Sequence, residues 1–145
     1  MTSFGSCEIQ TTNKIIPLAE KGVSVHFHND GQSQVRKIQI DGCHFNPGGQ
    51  GSTLCCDWLL IDSKLVHHFV ELKGSDVNHA VLQLGNTISS LGLTKAPIDK
   101  KAYVITRSDS TRRTDIQKTK VKFQSDYKAS LLIKRSGSQF PIPAR

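Results

Sequence analysis

The chain has 145 residues, of which 37% are hydrophobic and 21% charged, a composition typical of a soluble globular protein. The length fits one domain with a sizeable core. No apolar run approaches the roughly 20 residues of a membrane span, and the N-terminus lacks the apolar segment of a signal peptide. We therefore expect a cytoplasmic domain over residues 1–135 that does not contact membranes, followed by a flexible tail over 136–145.

The net charge of +7 is unevenly distributed. Residues 1–94 carry six Lys/Arg and eight Asp/Glu, a net of −2, whereas residues 95–135 carry twelve Lys/Arg and four Asp, a net of +8. A basic segment next to a slightly acidic one favours a polyanionic partner such as nucleic acid, contacted mainly by the basic C-terminal part, 95–135. The alternative is a solvated basic face without a partner.

The N-terminal part is predicted to contain a short helix or turn in "NKIIPLAEKG" (13–22), followed by a hairpin. "VSVHFHN" and "VRKIQID" alternate apolar and polar residues, as strands do, and "NDGQ" between them is a turn signal. "DGCHFNPGGQGST" is a loop by its Gly and Pro content. "LCCDWLLID" and "VHHFVELKG", joined by a tight turn, have the near-continuous apolar character of central strands covered on both faces.

The segment "SDVNHAVLQLGNTISSLGL" changes to a helical period. Ser75 or Asp76 can cap this helix and Gly92 can end it. Its apolar stripe comprises Val77, Ala80, Val81, Leu84, Ile88 and Leu91. "KKAYVITRS" predicts a strand, "TRRTDIQKTKVKFQSDYK" a basic helix anchored weakly by Ile116, Val121 and Phe123, and "ASLLIKR" a last strand. This order predicts an α/β fold with a mixed central β-sheet flanked by helices.

The four cysteines, Cys7, Cys43, Cys55 and Cys56, contain no CxxC pair. In a reducing compartment we expect free thiols. A zinc site built from "CH" (43–44) and "CC" (55–56) is the less favoured alternative, because adjacent ligands at both ends are unusual for structural zinc.

Asp57, Glu71 and Lys73 are charged residues inside or beside apolar strands. Strand alternation places Glu71 and Lys73 on one side, and a hairpin across "DSKL" brings Asp57 opposite Val70 or Glu71. Two carboxylates suit Mg²⁺ (or Mn²⁺), and a lysine next to the metal can orient water and stabilise charge on phosphorus. The set predicts phosphodiester hydrolysis; a buried Glu71–Lys73 ion pair is the structural alternative.

"CDWLLID", "FVELKG" and the helical "HAVLQL" together resemble the PD-(D/E)xK nuclease superfamily over about residues 35–107. The resemblance implies a restriction-endonuclease-like fold. It implies metal ligation by Asp57, Glu71 and the Leu72 carbonyl, water positioning by Lys73 and assistance by Gln83. The sequence departs from the pattern in having Cys56 where many members have Pro.

Many members of that superfamily also carry a metal-facing Glu on an N-terminal helix. Here only Glu8 and Glu20 are available, and neither lies in a strong helical pattern. Glu20 is the weaker, fourth candidate ligand.

The resemblance and the charge pattern together imply a nucleic-acid substrate, with DNA favoured, cut in repair, junction resolution or defence. Specificity would come from a homodimer or a partner protein, because no separate recognition domain is visible. The candidate phosphate-binding residues are Arg107, Arg112, Arg113, Lys118, Lys120 and Lys122. Their charge predicts steep salt dependence.

Two alternative functions stay open. The first is a nucleic-acid-binding module that keeps the fold but does not cut. The second is a peptidyl-tRNA ester hydrolase, suggested by the release-factor tripeptide GGQ at 48–50; this leaves Asp57, Glu71 and Lys73 unexplained. His67 and His68 lie towards the hairpin turn, and we expect them to be bystanders.

Overall fold

The computed structural model of the protein describes residues 3–73, 75–107 and 113–143, with the side chains of all of these except 113 and 114. The described residues form two α-helices, nine β-strands and the short 3-10 turns Gly5–Cys7 and Pro47–Gly49. The strands are β1 Glu8–Thr11, β2 Ile15–Glu20, β3 Val23–His28, β4 Val35–Gln39, β5 Trp58–Ile61, β6 His67–Leu72, β7 Lys100–Thr106, β8 Ala129–Arg135 and β9 Ser138–Pro141. The helices are α1 Val77–Ser90 and α2 Arg113–Tyr127.

A six-stranded main sheet in the order β1-β4-β5-β6-β7-β8 organises the molecule. The pairs from β1 to β6 are antiparallel, while β6-β7 and β7-β8 are parallel. The parallel pairs need crossovers, and α1 and α2 supply them. The chain therefore has the predicted mixed α/β architecture.

The two faces of the main sheet are covered differently. Apolar residues of α1, together with Phe123 of α2, pack against one face. The other face is covered by a second sheet of three strands in the order β2-β3-β9, whose Ile16, Leu18 and Phe27 share a core with Leu60 and Tyr103. Both helices thus lie on one face of the main sheet. The other face is covered by strands and not by a helix as the prediction of flanking helices had implied.

Helix α1 forms where its apolar stripe predicts it. Asp76 caps its N-terminus by accepting a hydrogen bond from the His79 N–H at 3.0 Å, which satisfies a backbone donor that the helix itself cannot. Gly92, at φ +72°, follows its C-terminus. Helix α2 is held mainly by Phe123, which is buried, whereas Val121 is 61% exposed and is not the anchor that we expected.

Three predictions about the N-terminal part and the tail of the chain are wrong. Residues 15–20 form strand β2 rather than a helix or turn, and residues 138–141 form strand β9 rather than part of a loose tail. Strands β3 and β4 do not pair as a hairpin: β3 pairs with β2 and β9, and β4 with β1 and β5. Alternation identifies a strand but not its partner.

The segment between β3 and β4 carries the chain from one sheet to the other. Buried Asn29 fixes this crossing, because its side-chain amide donates to the backbone carbonyls of Asn13 and Ser33 at 3.1 and 2.7 Å. The turn that we expected to close a hairpin therefore connects two layers.

Cys7 and Cys43 form a disulfide, so the prediction of four free thiols is wrong for this pair. Strand β1 pairs with β4, which brings Cys7 beside the turn that follows β4. Cys55 and Cys56 are free and buried. Within the described ranges, no helix is long and apolar enough to cross a membrane.

Candidate active site

A cleft of about 500 Å³ opens at the edge of the main sheet where β4 and β6 end and β5 begins. The turn between β2 and β3 closes its other side. The cleft brings together six of the sequence-predicted residues, Glu20, Asp57, Glu71, Leu72, Lys73 and Gln83, with a seventh, Arg107, at its rim.

The β5–β6 hairpin positions the two central carboxylates as predicted. Trp58 pairs with Val70, and the Asp57 N–H donates to the Val70 carbonyl at 3.2 Å, so Asp57 lies next to the strand position of Glu71. An Asp57 carboxylate oxygen accepts from the Leu72 N–H at 2.9 Å. This bond orients Asp57 towards the end of β6, where Glu71 and Lys73 line the cleft.

Glu71 is a buried carboxyl group that lacks a full set of partners. Only 3% of the residue is exposed, and its Oε1 has no hydrogen-bond partner among the described residues. A buried acceptor without a donor is costly, and in a native structure it usually has a ligand or a functional role. Glu71 lines the cleft, so that a proton or a cation supplied there would satisfy it.

The protonation of both carboxyls reflects this burial. Desolvation, reinforced by the negative charge of Asp57, raises the pKa of Glu71 to about 9. Desolvation also raises the pKa of Asp57 to about 6, with Glu20 and Asp41 adding to the rise and the Leu72 N–H opposing it. A proton or a cation beside these two carboxyls would relieve the cost of their charges.

Gln83 projects from α1 into the cleft. Its side-chain nitrogen donates to the Cys55 carbonyl at 3.1 Å, and its buried Oε1 has no partner among the described residues. The amide is therefore fixed by the backbone just before Asp57, with an acceptor free to receive a hydrogen bond from water or substrate.

Three cationic residues, Lys21, Lys73 and Arg107, line the cleft from different elements. Lys73 follows β6, and its backbone N–H donates to the Ile105 carbonyl at 2.8 Å, which extends the β6–β7 pairing to the lysine. The Arg107 guanidinium, after β7, donates to the Lys21 carbonyl and so joins the main sheet to the β2–β3 turn. Positive charge therefore lines the cleft from both the main sheet and the β2–β3 turn.

Sequence reasoning missed three polar lining residues, Lys21, Gln39 and Asp41. Asp41 is held by the Asn46 side-chain amide at 2.9 Å, and it borders both this cleft and a neighbouring one of about 300 Å³ along the glycine-rich loop. An Asp before Gly at a strand end is a common turn signal, so no pattern in the sequence marks Asp41 as part of a site. Glu20 reaches the cleft from the end of β2, not from a helix.

Several of the predicted phosphate-binding residues lie outside this cleft. Lys118 and Lys122 border a shallow groove on the outer surface of α2, and Lys122 is paired with Asp126 at 3.0 Å. Lys120 is half-buried on the same helix. Arg112 and the side chain of Arg113 lie outside the described residues.

His67 and His68 lie at the turn end of β6, away from the cleft, as predicted. His68 is fully buried between the Asp62 carboxylate, at 2.8 Å, and the Tyr103 hydroxyl, at 2.7 Å. These contacts make it part of a buried polar network.

A metal ion in this cleft would have few protein ligands. Within residues 3–73, 75–107 and 113–143, no group of three or more His, Cys, Asp or Glu side chains is arranged to hold a metal. Mg²⁺ usually takes only one or two protein carboxylates and completes its shell with water and substrate phosphate. Asp57 and Glu71, with the unpartnered Oε1, fit that smaller requirement.

Comparison of the chain with protein-family models, with curated proteins and with solved structures finds no match to any of them. The functional assignment therefore rests on the residues of the cleft.

Proposed function

We propose that the protein is a metal-dependent nuclease of the PD-(D/E)xK type, with a restriction-endonuclease-like core, acting on nucleic acid and favouring DNA. The observation that carries the proposal is that one cleft collects Asp57, Glu71, Lys73 and Gln83. Three of these come from a single hairpin and the fourth from the helix that follows it.

The metal would be Mg²⁺ or Mn²⁺, held by Asp57, Glu71 and the Leu72 carbonyl, and when bound it would supply Lewis-acid charge beside the phosphate. Glu71 has a pKa of about 9, so at neutral pH the metal-free protein carries a proton there. Metal binding must displace that proton, and metal affinity should therefore rise with pH.

The chain's own residues supply the remaining parts of phosphodiester hydrolysis. Lys73 positions the attacking water and places positive charge beside the developing charge on phosphorus. Gln83 accepts a hydrogen bond from that water through its free Oε1. Arg107 and Lys21, at the rim, hold flanking phosphates and thereby align the scissile bond.

Cleavage assays test the proposal directly. We expect the wild type to cut plasmid or single-stranded DNA with Mg²⁺ or Mn²⁺ but not with EDTA. Glu71→Gln and Lys73→Gln should each lower the rate by about a hundredfold or more, the usual size of a lost electrostatic contact to a transition state. Asp30→Asn, on the exposed turn after β3, is the control and should cut as the wild type does.

The outcomes separate the competing functions. If the wild type binds DNA but never cuts DNA or RNA, the nuclease proposal fails and the non-catalytic binding module replaces it. Hydrolysis of peptidyl-tRNA that depends on Gln50, with no nuclease activity, would favour the ester hydrolase.

A further inference from the structure

A second cleft, of about 350 Å³, lies at the opposite end of the main sheet from the candidate active site. Lys100, at its base, pairs with His67, whereas Glu71 pairs with Val104 four residues further along β7. At about 3.3 Å per residue the two clefts are separated by about 13 Å along the strands. The second cleft is lined by Lys64, Lys100, Lys101 and Lys128, with Asp99 as its one acidic group.

The charge of this lysine cleft is uncompensated by the protein. Four lysines and one aspartate give an excess of three positive charges in one small volume. Among the described residues, none of the four lysines forms an ion pair. Like charges that close together repel one another, and an anion would relieve the repulsion.

Lys100 is the most informative of the four, because only 3% of it is exposed. Its ammonium donates to the Leu93 and Thr94 carbonyls, the latter at 3.1 Å. An ammonium has three donors, so these bonds leave one available for a ligand. Desolvation lowers the pKa of Lys100, and the charge of Lys128 lowers it further, as expected of a buried cation that lacks an anion.

Lys128 occupies a backbone position that favours glycine. It follows α2 with φ +56°, and its N–H donates to the Gln124 carbonyl at 2.9 Å, the pattern of a left-handed helix cap in which glycine is usual. A lysine held in this conformation has a backbone cost, which a functional role for its ammonium would explain.

We propose that the lysine cleft is a binding site for a phosphate group, separate from the candidate active site. The chemistry shared by its ligands is a negatively charged phosphoryl group. Two sources fit: a small inorganic phosphate, and a phosphate of nucleic acid, either internal or at a 5′ end.

Titration calorimetry of the full chain in EDTA tests the proposal, with inorganic pyrophosphate as the probe. We expect saturable binding that weakens steeply with added salt. Lys128→Gly and Lys64→Gln should each weaken it by about fivefold to tenfold, the loss of one partly exposed charge contact. Lys128→Gly suits a glycine-type φ and should keep the fold; the melting temperature without ligand verifies this.

Two controls distinguish this cleft from other basic surfaces. Lys73→Gln alters the candidate active site and Lys14→Gln an exposed lysine outside both clefts; neither should change pyrophosphate binding. The proposal is overturned if the wild type does not bind pyrophosphate, or if Lys73→Gln weakens binding while Lys128→Gly and Lys64→Gln do not. Because DNA cleavage is not measured, failure here leaves the nuclease proposal unaffected.

Oligonucleotide probes then assign the source of the phosphate. A 5′-phosphorylated single strand that binds more tightly than its 5′-hydroxyl counterpart assigns the site to a terminal phosphate. Equal binding that depends on Lys128 assigns it to the internal backbone. Binding of pyrophosphate but of neither strand assigns it to small phosphates.

Discussion

Replacement of Glu71 by Gln should remove the pH dependence of stability that this side chain imposes. Glu71 has a pKa of about 9 in the folded protein, against an ordinary value of 4.5. Between these values the folded chain holds a proton that the unfolded chain releases. Stability must therefore fall as pH rises through this window, and through Glu71 the metal-free protein is less stable at pH 7 than at pH 5.

The magnitude follows from linkage. Each pH unit within the window costs about 1.4 kcal/mol of unfolding free energy, so the rise from pH 5 to pH 7 costs the wild type about 3 kcal/mol through Glu71. Glutamine has nearly the shape of the protonated acid and does not titrate. Glu71→Gln should match the wild type at pH 5 and exceed its stability by about 3 kcal/mol at pH 7.

Urea unfolding at pH 5, 6 and 7 in EDTA measures this difference. Glu8→Gln is the matched control, since the hydrogen bond from Arg36 lowers the pKa of Glu8 and its titration lies below this range. That variant should lose the same stability at pH 5 as at pH 7. Parallel pH profiles for wild type and Glu71→Gln would refute the burial argument. Added Mg²⁺ should raise the melting temperature of the wild type at pH 8 more than that of Glu71→Gln.

Three further substitutions test the scaffold by urea unfolding. Tyr103→Phe removes the hydroxyl bonded to buried His68 and should cost about 1–3 kcal/mol, because the ring nitrogen loses its partner; a neutral result would mean that the network is replaceable. Gly85→Ala places a Cβ about 2.5 Å from the Tyr127 ring and should cost about 1–3 kcal/mol, with part recovered when Tyr127→Leu is added. Cys7→Ser opens the disulfide that spans 36 residues and should cost about 2–4 kcal/mol; reduction of the wild type should cost the same, and a variant as stable as the oxidised protein would contradict this.

The sequence alone determined the central part of the molecule because its signals are local. The apolar alternation and tight turn of β5–β6 fix the register that places Asp57 beside Glu71, and the helical stripe fixes α1 and therefore Gln83. Pairings between segments close in the sequence can be predicted, because few other segments could pair with them instead. The strand β8 was located for the same reason, by an apolar run after a basic helix.

Contacts between residues distant in the chain could be known only from the tertiary structure. It pairs β3 with β9 rather than β4, joins Cys7 to Cys43, and brings Glu20, Lys21 and Arg107 to the cleft. It also gathers four lysines, spread from position 64 to 128, around one pocket. A strand pattern specifies which face is buried but not against what, because the same alternation satisfies any apolar surface.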